Sequence, residues 1–545
     1  MKRLLMLALT MSAPCALLYA QTLIRVPQDQ PTVQAGINAA VNGDTVLVAE
    51  GTYSVNLVLT KKIVLGSLYI IDDSTSHISK TILDGGTPSH PDSGSVLLIL
   101  DGTDSTTVIS GFTIQNGSGT KASWGGISYI VGGGISIIGG GATVTHNVIA
   151  NNDCVTTTLG CGAAGIDVEP NAANTLGPKP WVIANNVIAN NSSNSTAPST
   201  STTGFSDGGG LGLGGQGRLM NNIIRNNSAA GTKYGAGAGV AIYGLPGPAD
   251  ILISGNLIMS NTASSEGGGI AMWVNMPYRP NVHFQNNIIS GNTAGVKGAA
   301  MFAFSGDYSL VNNTIATNGG TNAFALFESI SGENRGALNF RLLNNIIWNP
   351  GSTNEFNSVV YAAGSYNDVR GGLTGTGNIN NDPLFISTHP DSLAWFQYYS
   401  PCRDAGVASA TVGGTLLTAP TVDYYGHPRS GTPDIGAFEA GIWSSVEDVS
   451  LGVPADFMLE QNFPNPFNPS TVIRFALPKE ADVQIDIYNI LGQKVEELVN
   501  QRLSAGFKQV TWTANVPSGV YLYRITVSTV GGQRYEEAKR MVLVR

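Results

Sequence analysis

The sequence predicts an all-β chain: a right-handed parallel β-helix (a solenoid) with an N-terminal cap helix, followed by a small Ig-like β-sandwich. Three observations point there. Two short apolar strings alternate along the central part, the 3.6-residue rhythm of long helices is missing from it, and residues 446–545 switch to longer alternating strands punctuated by glycine turns. The 545 residues exceed what one core organises, so several domains are expected. The 68 glycines show no collagen period, and 42% hydrophobic residues with only 12% charged ones exclude a disordered chain.

The first string is Asn-x-Ile followed by Asn: NVIANN (147–152 and 186–191), NIIRNN (222–227), NLIMSN (256–261), NIISGN (287–292), NTIATN (313–318) and NIIWNP (345–350). The second alternates with it: GGGISI (132–137), AAGIDV (163–168), GGGLGL (208–213), GAGVAI (237–242), GGGIAM (267–272) and GAAMFA (298–303). Each cycle thus holds two short strands joined by Gly- and Asn-rich corners, with side chains alternating inward and outward. Successive Asn-x-Ile strings lie 26 to 39 residues apart. A coiled chain absorbs that variation in corner loops, whereas a propeller would keep a steadier period. Inward Ile, Val and Leu are expected to fill the bore, and the asparagines to hydrogen-bond along the stack as a ladder, a structural rather than a catalytic set.

At the start, Lys2 and Arg3 precede an apolar run from Leu4 to Leu18, with Ala20 before a cut at Gln21, so residues 1–20 read as a signal peptide. The run falls short of the ~20 residues a membrane span needs, and no later segment is long and apolar enough to cross a bilayer. Export leaves Cys154, Cys161 and Cys402 and favours a disulfide between Cys154 and Cys161. A metal site on these cysteines lacks a histidine at ligand spacing. Formal net charge is −9, and losing Lys2 and Arg3 makes the chain more acidic, which disfavours nucleic acid or anionic lipid as the main partner. A monomer is expected.

Residues 24–66, IRVPQDQPTVQAGINAAVNGDTVLVAEGTYSVNLVLTKKIVLG, place helical spacing at Thr32 to Ala40 before Gly43-Asp44 and a strand. This resembles the opening of the bacterial pectin-lyase-like β-helix superfamily and implies a cap helix over the end of a bore spanning 21–380. The superfamily holds lyases, hydrolases, esterases, epimerases and adhesins, so the resemblance implies no single activity. Further on, SPCRDAG (400–406), VDYYGHPR (422–429) and DIGAFE (434–439) resemble a choice-of-anchor closing region, here 381–445. Its Asp404, Asp423, Asp434 and Glu439 suit either a calcium site or plain turn and edge hydrogen bonding. No other cofactor is indicated.

In 446–545, the Pro-rich lead-in QNFPNPFNPST (461–471) is followed by VIRFAL, DVQIDIYNI, KQVTWTA, GVYLYRITV and KRMVLVR. This order resembles the type A C-terminal sorting domain of the type IX secretion system of Bacteroidetes. The resemblance implies handling by that secretion machinery and a secreted protein or one on the outer-membrane surface of a Gram-negative bacterium.

Aligning the second string by its inward residue defines two outward columns. Tyr243, Trp273, Phe304 and Phe327 make an aromatic column, suited to sugar rings or to stacking on itself under a long loop such as 192–207. Asp207, Ala236, Glu266 and Lys297 make a second column, in which Asp207, Glu266 and Lys297 are the candidate catalytic groups. Asp167 and Glu169 face outward on an earlier rung. The Asp-Asp, Asn-Thr-Asp, His-Gly and Arg-x-Lys segments of polygalacturonases are missing, as are the calcium-site and arginine strings of pectate lyases. GLGLGG (210–215) formally matches G-x-G-x-x-G, but no helix follows it, so it is not a nucleotide loop. Three functions remain. The chain binds polysaccharide or a cell-surface glycan, as an adhesin does; it is a polysaccharide lyase or glycoside hydrolase with an unrecognised site; or it is structural.

Overall fold

The computed structural model describes residues 21–545 except 87, 89, 91, 125, 170–178, 201, 244–249, 274–280, 304–305, 320–323, 329–337, 352–353, 357–360, 386–399, 430, 440–446, 450–456, 463–464, 466, 530–533 and 545. Residues 1–20, read as a signal peptide, lie outside that set.

Each coil delivers one strand in turn to each of three long parallel sheets. These hold 12, 11 and 10 strands, in an order that follows the chain. One coil runs Thr143–Thr145 in the first sheet, Val148–Ala150 in the second and Ile166–Glu169 in the third. Its inward residues Val144, Ile149, Ile166 and Val168 are fully buried in one continuous apolar cluster that runs from Ile24 to Val369. Stacked parallel coils around a filled bore are the pattern of a β-helix.

The doubled asparagines divide two tasks at each corner. The first of each pair takes the left-handed backbone that turns the chain, at φ 57° for Asn185, 54° for Asn221 and 52° for Asn286. The second is buried and bonds to its counterpart on the next rung. The Nδ2 of Asn186 donates to Asn222 Oδ1 at 3.0 Å, that of Asn222 to Asn256 Oδ1 at 3.0 Å, and that of Asn256 to Asn287 Oδ1 at 3.0 Å. Each backbone N–H donates to the same oxygen, as Asn186 does to Asn222 at 3.0 Å. A second ladder follows from Asn152 through Asn191, Asn227, Asn261, Asn292 and Asn318 to Asn349. It ends on Glu355, whose carboxylate accepts from Asn349 N and Nδ2 at 2.8 Å each and pairs with Arg370 at 3.0 Å.

At the N-terminal end, helix Val33–Ala39 starts at Thr32, whose side chain accepts from Ala35 N at 3.1 Å. Its buried Gly36 approaches the first strands so closely that a Cβ there would lie 2.9 Å from Val46 and 3.0 Å from Val26. No helix among the described residues is long and apolar enough to cross a membrane.

The closing region lies along the outside of the coils. Ile435, Ala437 and Phe438 pack on Leu257, Ile288 and Ile346, which project outward from the second sheet. Corner asparagines hold it there: Asn286 Nδ2 donates to Val422 O, Asn312 Nδ2 to Asp434 O and Asn344 Nδ2 to Val407 O, at 2.7, 3.0 and 2.8 Å. The region's acidic residues are engaged within the chain. Asp423 accepts from Tyr425 N, His427 N and Glu439 N, Asp434 accepts from Asp404 N, and Glu439 pairs with the buried Arg429 at 2.9 Å. No group of three or more His, Cys, Asp or Glu among the described residues is arranged to hold a metal ion.

The last part of the chain forms two four-stranded sheets with antiparallel pairing, closing over Phe475, Ile485, Trp512, Tyr523 and Met541. The proline-rich lead-in is part of that packing. Phe467 is buried, Asn462 Nδ2 donates to Thr471 Oγ1 at 2.9 Å, and Asn465 Oδ1 accepts from Val542 N at 2.8 Å.

Candidate functional site

Between the second and third sheets the chain makes an outward excursion that builds two further sheets, a wing. One holds Asp153–Thr156, Ser192–Ser195, Ser228–Gly231, Thr262–Ala263 and Thr293–Ala294. The other includes Ile127–Val131, Gly160–Cys161, Phe205–Asp207 and Tyr234–Ala236, and returns through glycine-rich turns to the third sheet. Part of the 192–207 insertion is therefore wing strand. The wing packs on the outward face of the third sheet, where Tyr234 and Trp273 lie against the buried Ala236, Ala271 and Phe302.

Acidic residues gather where the wing meets the third sheet. Asp167 and Glu169 point outward from Ile166–Glu169, since Ile166 and Val168 occupy the bore, yet they are only 0% and 6% exposed. Asp207 approaches from the wing, 9% exposed. Glycines on neighbouring rungs leave the space these groups fill. A Cβ on Gly212 would run into Asp167 Oδ1 and lie 2.8 Å from the Tyr243 hydroxyl, and one on Gly162 would sit 3.5 Å from Asp167 Oδ2. The Tyr129 hydroxyl donates to Glu169. Asp167 Oδ2, Asp207 Oδ1 and the Oγ of Ser136, the rung neighbour of Asp167, are buried and have no hydrogen-bond partner among the described residues.

Burial sets the protonation of the trio. It raises Glu169 to about 8. It does the same to Asp207, also to about 8, reinforced by the nearby charges of Glu266 and Glu169 and opposed by Lys233. It lifts Asp167 well above the carboxylate range, with Glu169 and Asp207 adding to the effect. Burial beneath the wing, rather than a cationic or metal partner, is the largest cause of all three shifts.

An aromatic ladder runs from these carboxyls along the wing. Phe205 stacks on Tyr234 at 6.2 Å, Tyr234 leans on Trp273 at 5.3 Å and Trp273 on Phe302 at 5.2 Å, with Tyr129 edge-on to Phe205 at 6.2 Å. Phe205 has room because Gly160 precedes it on the stack. Tyr234, Tyr243 and Trp273 are half-buried and Phe302 is fully buried. At the far end Lys297 Nζ meets Glu266 Oε1 at 2.9 Å and lies 5.0 Å from the Phe302 ring centre.

The acidic column has the register its spacing predicts: Asp207 pairs with Ala236, Ala236 with Glu266 and Glu266 with Lys297. These three candidates divide between two places, however. Asp207 joins Asp167 and Glu169, while Glu266 and Lys297 are spent on each other. In the aromatic column Tyr243 pairs with Trp273, as expected. Phe304 lies outside the described residues. Phe327 needs correction, because it pairs with Phe302, which pairs with Ala271, two positions off the Tyr243–Trp273 column. No glycine triplet precedes its strand to mark the register. The expected Cys154–Cys161 disulfide is not formed: both are buried free thiols, and Cys161 Sγ donates to Cys154 O at 3.0 Å. Their strands belong to different wing sheets, and the thiols fill a small cluster with Ala164. Tyr129, Phe205 and Tyr234 were not singled out from the sequence. The signal was there in Phe-Ser-Asp and Tyr-Gly-Ala, which stand at the same offset before successive glycine turns.

The fold defines the class: a strand-rich coil of stacked parallel sheets with a lateral wing, carrying a separate C-terminal β-domain. Residues 461–534 of that domain match the family described as a secretion system C-terminal sorting domain. This portion is a type IX sorting domain, and it marks the chain as a secreted, cell-surface protein of Bacteroidetes-type bacteria. No curated protein matches the chain. Among solved structures, dimeric latent PorU from Porphyromonas gingivalis is similar at 22% identity with a TM-score of 0.14; the match spans 19% of this chain and 10% of that one. So small an overlap says nothing of the coils.

Proposed function

We propose that the coils form a right-handed, pectin-lyase-like β-helix that binds polysaccharide or a cell-surface glycan on the aromatic side of the wing, as a surface adhesin does. In this reading residues 1–20 are a signal peptide, helix Val33–Ala39 caps the bore, and the Ig-like sorting domain hands a monomeric protein to the type IX machinery for display on the outer membrane or release. The observation that carries it is the ladder of aromatic rings from Phe205 through Tyr234 and Trp273, which runs beside the buried carboxyls on one side of the coils. Half-exposed rings offer flat apolar contact to sugar faces, and nearby oxygens fix orientation. Trp273 and Tyr243 are the central contacts.

A second reading, cleavage of the glycan by a hydrolase or lyase, is favoured by one feature. Glu169 and Asp207 have raised carboxyl pKa values of about 8, as a general acid requires. Both readings are tested together by a polysaccharide panel, scoring retention on each polymer and the release of reducing ends and unsaturated products. Retention lost in Trp273→Ala without turnover supports binding. Turnover lost in Asp207→Asn makes the protein an enzyme. A chain that neither retains nor cleaves any polymer is structural.

A further inference from the structure

Between a strand of the first sheet and one of the second, residues 68–80 leave the coils as a short excursion with helices Tyr69–Asp72 and Ser76–Lys80. We propose that this excursion is a pH-gated latch, fastened by the protonated form of His77 and by the neutral form of His146, so that it is closed within a window of pH and opens on either side while the coils stay intact.

Apolar burial does not hold the excursion. Neither helix has a buried residue, and Ile71 is 63% exposed. Ile70 rests on Gly66 and Tyr69 on Gly111, where an added Cβ would lie 2.6 Å from Ile70 Cδ1 and 2.7 Å from Tyr69 Cβ. Thr113 Oγ1 donates to Ile78 O at 2.9 Å. The firmer attachments are two histidines. His77 ties the excursion to the coil: its Nδ1 meets Glu50 Oε1 at 2.7 Å and its Nε2 meets Asp72 Oδ2 at 3.1 Å. Only the imidazolium ring donates from both nitrogens, so this bridge is complete only when His77 is protonated. Lys80 Nζ stands 3.4 Å from the same Glu50 oxygen. His146 occupies the left-handed corner that Asn185 and Asn221 take on the next two rungs, at φ 55°, 57° and 54° in turn. Its ring does what an asparagine would not: it lies 5.1 Å from the Tyr69 ring, while Nδ1 meets Thr145 Oγ1 at 2.8 Å.

The two rings have opposite needs. Burial opposes charge on His77, but its bonds to Asp72 and Glu50 and their charges outweigh that and raise it above the ordinary histidine value of 6.5. Burial keeps His146 below 6.5, against the pull of Asp73. His77 therefore secures the excursion fully below 6.5 and lets go as pH rises through its raised value. His146 secures it above 6.5 and lets go as pH falls through its lowered value. Closure is tightest between the two. Glu50 and Asp72 are held below the usual carboxylate range by these same bonds, so they keep their charge across the window. Asp84, on the strand beside Ser76–Lys80, is turned to Gln115 and Asn116 at 2.9 and 2.8 Å.

Native-state hydrogen exchange of the full chain from about pH 5 to about pH 8.5, corrected for the intrinsic pH dependence of exchange, reads the opening of 68–80 against 181–189 as reference. Protection is expected to peak near pH 6.5 and to fall at least about threefold toward each end. His77→Gln is expected to flatten the alkaline limb alone. His146→Asn, which installs the residue of the neighbouring corners, is expected to flatten the acid limb alone. Imidazole NMR titration gives an independent readout: the signal missing from His77→Gln should titrate above 6.5 and the one missing from His146→Asn below it. Where a variant opens the excursion at every pH, these two titrations decide. Protection that does not vary with pH, a limb that survives loss of its histidine, or both rings titrating at the ordinary value overturns the latch.

Discussion

Replacing Asn222 by alanine tests the ladder at mid-stack. Its side chain makes five hydrogen bonds: Oδ1 accepts from Asn186 N and Nδ2 at 3.0 Å each, and Nδ2 donates to Ile183 O and Met220 O at 2.9 Å and to Asn256 Oδ1 at 3.0 Å. Several partners keep an alternative. Asn186 Nδ2 still reaches Val144 O and Ala184 O, Asn256 Oδ1 still accepts from Asn222 N, and Met220 O still accepts from Asn185 N. The Asn186 N–H does not, because Asn222 Oδ1 is its acceptor. A stranded buried donor costs about 1–3 kcal/mol, and the other lost bonds add about 0.5–1.5 kcal/mol each where nothing replaces them. We expect a total near 3–5 kcal/mol, or a rise of roughly 100-fold or more in local opening. The neighbouring Asn221 is the control. It is exposed and serves only as a left-handed corner at φ 54°, so Asn221→Gly is expected to change stability by less than about 1 kcal/mol. Native-state hydrogen exchange of peptides covering 181–189 and 217–225 reads both variants. Equal exchange in the two would refute the reasoning, because it would mean that the buried amides are no more important than the exposed corners.

The pH dependence has a definite sign. Glu169 and Asp207 hold protons up to about pH 8 when folded but lose them near 4 when unfolded, so stability is greatest at low pH and falls as pH rises through that window. Each contributes a slope of about −1.4 kcal/mol per pH unit, so Asp207→Asn should melt higher than the native chain at pH 8 and show a shallower decline from pH 5; parallel melting profiles would contradict this. Glu355→Gln turns the ladder's final acceptor into a donor facing Asn349 Nδ2 and removes the Arg370 pair, with an expected loss of about 2–3 kcal/mol in urea unfolding of the last coils. Deleting 446–545 should leave the coils folded but unexported, and normal arrival at the cell surface, followed by surface proteolysis, would remove the sorting assignment.

The coils were legible because one chemical rule repeats. A buried amide must meet its counterpart on the next rung, so asparagine recurs at fixed distance from inward Ile, and the same spacing located Asp207, Glu266 and Lys297 in one column. What could not be read was the wing. Its strands are short and lie in segments whose length changes from coil to coil, so no period marks them. That is why Asp167 and Glu169 looked like outward, solvated groups when a second layer in fact buries them, and why Cys154 and Cys161 looked like the ends of a simple loop. Phe327 went astray for the opposite reason: a strand was expected, but nothing fixed its register. The sorting domain was the easiest part, since Phe467, Asn462 and Asn465 of its lead-in are tied into the core.

The asparagine ladders also have a direction. Between amides, every link runs from an Nδ2 to the Oδ1 of the next rung toward the C-terminal end, so all the rungs are interchangeable links of one polarity. Duplicating or deleting a whole coil leaves every link chemically matched. The ends are different: the last amide must hand its hydrogens to something that is not another link, and in the second ladder that is Glu355. Helices of this kind can therefore grow or shrink in the middle during evolution, while the residue that terminates each ladder has to travel with the end of the chain of coils.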